Sequence, residues 1–145
     1  MASLPAVILD DRLLIEELLV GLRANAVQLH TTSYWYYRAC RAAVLGAGGH
    51  LSGPFERLDI PDQQRAVASL LELREDILLP EPRPTVPVMV EFAGRHPRLN
   101  LLNLEAAAVG HLLDATVWLS AESSAGILPT VLDAERIAWR KVPLS

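Results

Sequence analysis

Residues 100–122 read NLLNLEAAAVGHLLDATVWLSAE, and within that run the chain changes its periodicity. From Asn100 to Asp114, Leu101, Leu104, Ala108 and Leu112 recur along one side of an alanine-rich segment, which is the spacing of a helix. TVWLS, residues 116–120, then supplies a short apolar run suited to a buried strand, ending near Glu122. A helix that feeds straight into a buried strand is a building unit of α/β sheets.

The same alternation extends outward from that unit. AVILD, residues 6–10, is a short strand ending in an acid, and DRLLIEELLVGL, residues 11–22, is a helix capped by Asp10 or Asp11. Thr31, Thr32 and Ser33 can cap a helix running to about Leu45, where Gly46, Gly48 and Gly49 stop it. HLSGPFERLDIP is expected as a loop, and Pro61 and Asp62 open a helix over residues 61–75. DILLP, residues 76–80, reads as a strand that the proline-rich EPRPTVP ends. A short helix over 88–95 stops at Pro97, and another lies near Ile127 to Leu132. A final strand is expected near Ile137 to Val142. Strands separated by helices predict a three-layer α/β fold, with a mainly parallel central sheet and helices on both faces.

Composition narrows the class. The 145 residues are expected to form one domain, 1–145, with an apolar fraction of 51% that argues against disorder. The formal charge of -4 disfavours a broad nucleic-acid surface but leaves room for a local one. Cys40 is the only cysteine, so no internal disulfide can form. No basic-then-apolar leader opens the chain, and no apolar run reaches the roughly 18 residues of a membrane span. A cytoplasmic protein that does not enter membranes is the expectation.

Three acids fall where an open parallel sheet binds ligands, beyond the carboxyl ends of its strands. Asp10 closes the first strand, Glu122 follows the strand at 116–120, and Glu105 lies in the helix that feeds it. Converging carboxylates call for a divalent cation or shared protons, and oxygen ligands favour Mg²⁺ or Mn²⁺. The competing reading makes Asp10 or Asp11 a helix cap and leaves Glu122 solvated. The four histidines lack metal-like spacing, and GAGGHLSG, residues 46–53, lacks the consecutive Lys-Ser/Thr pair of a phosphate loop. That glycine-rich segment is expected as a turn rimming the groove.

VILDDRLL resembles the opening of a PIN domain, and NLLNLEAAAVGHLLDATVWLSAE resembles that family's acid-bearing helix, turn and strand, with Ser120-Ala121-Glu122 in place of its Thr-x-Asp-like motif. The closing WRKVPL is similar to the family's terminal strand. The resemblance covers nearly the whole chain. It implies a PIN-like fold and, for an active member, a Mg²⁺- or Mn²⁺-dependent ribonuclease, including the VapC-type toxins that pair with an antitoxin. Asp10, Glu105 and Glu122 match catalytic and metal-binding acids, and Ser120 would lie at the substrate; Asp11 stands where the family usually has a small hydroxyl residue and could supply a fourth carboxylate. Glu105 and Glu122 are Glu where the family has Asp.

The family's second acid should fall at about Tyr37 to Ala39, inside TTSYWYYRACRAA, residues 31–43. That stretch has no carboxylate, and none occurs between Glu17 and Glu56. Instead Tyr34, Arg38 and Arg41 share a helix face that could meet RNA, with Arg38 free to stand in for a metal by pairing with Asp10 or Glu105. Trp35 and Tyr36 could equally belong to the core or to a homodimer interface. Two functions follow from this. One is a toxin-like ribonuclease with an incomplete acidic site. The other is an inactive PIN-fold module that binds RNA or a protein partner.

Overall fold

The computed structural model describes residues 3–22, 26–46 and 51–144. In chain order the elements are β1 (Ala6–Leu9), α1 (Asp11–Leu19), β2 (Gln28–His30), α2 (Ser33–Leu45), α3 (Gly53–Glu56), α4 (Ile60–Leu71) and β3 (Ile77–Leu78). They continue with α5 (Pro82–Arg95), α6 (Leu101–Leu113), β4 (Thr116–Leu119), α7 (Ala121–Ser124), α8 (Leu128–Ala134) and β5 (Trp139–Lys141). The five strands form one sheet in the order β3-β2-β1-β4-β5, and every pairing is parallel.

Both faces of that sheet are covered, which explains why its central strands are apolar throughout. Ile8, Val117 and Leu119 face a core shared with Phe92, Leu104, Ala107 and Leu132, from α5, α6 and α8. Val7 and Leu9 point the other way, to Leu13, Leu14, Ala39, Ala66 and Leu70 of α1, α2 and α4. The architecture is therefore the three-layer α/β arrangement that the alternation of strand and helix predicts. Among the described residues no helix is long and apolar enough to cross a membrane.

Several elements depart from the sequence reading: α3 lies within HLSGPFERLDIP, expected as a loop, and α7 has no counterpart among the expected helices. β2 has only three residues, too few to show an alternation, and it forms because Leu29 and His30 are buried beside β1. The helix expected over 88–95 begins earlier, at Pro82 within EPRPTVP. Pro82 and Pro84 sit in a first turn whose N–H groups lack intrahelical partners anyway, so their rings remove little there. Only Pro87 lies inside the helix. The helices at 11–22 and 61–75 are also shorter than expected, ending at Leu19 and Leu71, and the first is followed by Gly21 at φ 91°. The helix stop at Gly46 adopts the left-handed conformation, whereas residues 47–50 of GAGGHLSG, Gly48 and Gly49 among them, lie outside the described residues.

The strand order reverses between β1 and β4, both of which are flanked on two sides. A crevice at their carboxyl ends is where this topology places a site. The alanine run of α6 lets that helix lie close to the sheet, and Gly110 marks the tightest approach. A Cβ built there would meet Ile137 Cγ2 at 2.9 Å and Val117 Cγ2 at 3.2 Å. Gly110→Ala therefore gains about 1 kcal/mol of helix propensity but overpacks a β-branched wall at a cost of about 1–3 kcal/mol. A net destabilisation of about 1 kcal/mol is expected in urea unfolding; unchanged or raised stability would show that the helix is not seated this closely.

Candidate functional site

Asp10 follows the last residue of β1 and caps α1. Its Oδ1 accepts the Leu13 N–H at 2.8 Å, and its Oδ2 accepts both the Ser120 N–H at 2.7 Å and the Ser120 hydroxyl at 2.6 Å. Asp10 and Ser120 are completely buried. Charge-assisted bonds this short satisfy a carboxylate without any added cation. The crevice between β1 and β4 is thus sewn shut at its floor.

Glu105 is committed in the same manner on the neighbouring helix. It is buried in α6 and accepts the backbone N–H groups of Ser33 and Tyr34 at 3.0 and 2.9 Å, one on each oxygen. Thr32 caps the next free donor, that of Trp35, at 3.1 Å. An α-helix begins with N–H groups that have no intrahelical acceptor and with a partial positive charge. Here α2 meets those demands with one threonine and one acid supplied from 72 residues away. The adjacent Thr31 hydroxyl donates to the Leu9 carbonyl at 2.8 Å, fixing the start of α2 to the end of β1.

The remaining two acids sit at the mouth. Asp11 is buried and forms an ion pair with Arg38 Nε at 3.3 Å, while its Oδ1 accepts the Arg12 N–H at 2.8 Å. Arg38 thus pairs with Asp11, not with Asp10 or Glu105 as its sequence position suggested. Glu122 is exposed in the first turn of α7. It lines a groove of about 240 Å³ with Asp11, Arg38, Asn100, Asn103 and Ser123. The two asparagines and Ser123 were not singled out in the sequence; the only local signal is that Asn100 caps α6. Tyr34 and Arg41 are exposed on α2, outside the groove lining, and buried Ser120 donates its hydroxyl to Asp10.

These donors decide what the site can hold. Asp10 and Glu105 each have both oxygens engaged by donors of the protein itself, and Asp11 is held by an arginine. Among the described residues no group of three or more His, Cys, Asp and Glu is arranged to hold a metal ion. A resident Mg²⁺ or Mn²⁺ would have to displace short buried hydrogen bonds, so the residues present do not fit one. Cys40 and His30 lie outside the groove lining. Burial pushes the Cys40 thiol up, partly offset by its hydrogen bond with Tyr36, so it is not a ready thiolate. Burial likewise lowers His30, whose Nε2 lies 3.0 Å from Gln28 Oε1.

With this geometry in hand, comparison with known proteins places the fold. No family model matches the chain, and no curated protein does. Among solved structures, a 2.2 Å structure of VapBC-1 from nontypeable Haemophilus influenzae is similar with a TM-score of 0.54 and 12% identity. The match covers 94% of this chain and 97% of the other. The chain therefore has a PIN-like α/β fold, closed around acids that its own backbone consumes.

The sign of a stability change separates these acids from a metal cluster. In a cluster of carboxylates awaiting an ion, neutralising one relieves repulsion and stabilises the metal-free protein. Here Glu105→Gln would set an amide NH₂ against a backbone N–H of α2, and Asp10→Asn would do the same at Leu13 or Ser120. Each is expected to destabilise by about 1–3 kcal/mol in urea unfolding with EDTA present. A gain in stability from either substitution would count against this description.

Proposed function

We propose that this protein is a PIN-like binding module of toxin–antitoxin type, which acts through a macromolecular partner and not through metal-dependent hydrolysis. The observation that carries the reading is the use of Asp10 and Glu105 as internal acceptors, since these are two of the three acids a hydrolytic site would need. The arginine beside Asp11 supports it further, because a guanidinium supplies the positive charge that an ion would otherwise bring. A protein partner akin to an antitoxin suits the similarity to a VapBC structure. It also suits a net charge of -4 better than RNA does.

The rival reading is a Mg²⁺- or Mn²⁺-dependent endoribonuclease in which Asp10, Glu105 and Glu122, with Asp11, hold the ion. It is favoured by one observation, that Asp11 and Glu122 line a single groove. Incubating purified protein with a mixed, structured RNA, with and without Mn²⁺ and beside Asp10→Asn, separates the two. The binding reading predicts intact RNA in every sample. Cleavage that requires Mn²⁺ and disappears in the variant would establish the rival.

A further inference from the structure

The outer side of α2 carries chemistry that the rest of the protein does not use. At 3.6 residues per turn, Tyr34, Tyr37, Arg38, Arg41, Val44 and Leu45 fall within roughly a third of the helix circumference. The opposite side, Trp35, Ala39 and Ala42, is buried. Tyr37 is 62% exposed and Leu45 69%, and Tyr34 and Val44 are exposed as well. Solvated helix faces are normally polar, so a stripe of two aromatic and two aliphatic side chains is a surface suited to being covered.

The charge of the stripe specifies what covers it. The sequence has no Asp or Glu between Glu17 and Glu56, so the face is cationic on a chain whose net charge is -4. Arg41, at its centre, makes no ion pair among the described residues, and the Arg38 side chain remains 43% exposed beside Asp11. A second copy docking through the same face would oppose arginine to arginine, and α2 itself carries no acid to relieve them. RNA is also disfavoured, because phosphate recognition gathers several cations and the groove beyond Arg38 adds Asp11 and Glu122. Tyrosine and arginine are the side chains in which protein hot spots are enriched.

We infer that this face of α2 docks an amphipathic helix of a partner protein, one that carries leucine-like residues along its contact stripe and carboxylates beside them. The inference rests on the binding-module reading and names its surface. The aromatic rings and Val44–Leu45 form a straight ridge along the helix, which a second helix can pack against. Arg41 then pairs with an acid of the partner at the edge of that apolar strip.

The test uses a fluorescein-labelled, about 20-residue helical peptide with leucines at heptad positions and glutamates between them. Its probes are that peptide, its isomer with lysine for glutamate, and a short single-stranded RNA, all read by fluorescence anisotropy. Sedimentation of the protein alone checks self-association. Saturable binding of the acidic peptide is expected. Arg41→Glu and Tyr37→Ala should each weaken it by about tenfold or more with unchanged thermal unfolding, since both side chains are exposed. Absence of saturable binding, equal binding of the lysine isomer, displacement by the RNA, or a dimer dissociated by Tyr37→Ala would each overturn the proposal. None of those outcomes depends on whether the protein cleaves RNA, so the two readings fail separately.

Discussion

A buried carboxylate must be matched by donors, and in this protein that requirement joins the sheet to its helices. Asp10 links three backbone segments at once: the end of β1, the first turn of α1 and the end of β4. Glu105 does the same for α6 and α2. Without these acceptors the buried Leu13 and Ser120 N–H groups, and the part-buried Ser33 and Tyr34 N–H groups, would lose their partners. Leaving such donors unpaired costs about 1–3 kcal/mol apiece, which is large against the marginal stability of a domain.

This arrangement also determines how α2 is presented. Its N-terminus is held by Glu105 and Thr32 and by the Thr31 bond to β1, while Trp35 anchors its inner side in the core with Phe92 and Leu104. The helix is therefore rigidly mounted at the edge of the switch-point crevice, and Arg38 spans from it to Asp11. What remains for α2 to offer is its outer face. A rigid, pre-oriented surface loses less entropy on binding than a mobile one, so the same carboxylates that close the crevice favour recognition through the helix above it.

Much of the fold was legible because its strands are apolar on both faces. Ile8 and Val7 lie on opposite faces of the sheet, so AVIL reads as a continuous hydrophobic run, and TVWL does likewise. The three-residue β2 was not legible, since its place depends on pairing with β1 and not on any pattern of its own. The helix through EPRPTVP was obscured by prolines that only position within the first turn makes tolerable. At the site, the sequence could show that Asp10 closes the first strand and that a carboxylate is missing from α2. It could not show that Glu105 reaches the helix N-terminus or that Ser120 faces Asp10. Those depend on side-chain direction across the closed crevice. The pairing of Arg38 with Asp11 depends on the same geometry.

The central claim is that the buried acids belong to the fold and are not held ready for an ion. Titrating the protein into dilute Mn²⁺ while recording the electron paramagnetic resonance of free aqueous Mn²⁺ tests it directly. The account predicts that the free-ion signal stays undiminished at stoichiometric protein. Loss of that signal with one-site stoichiometry, restored by Asp10→Asn, would contradict it.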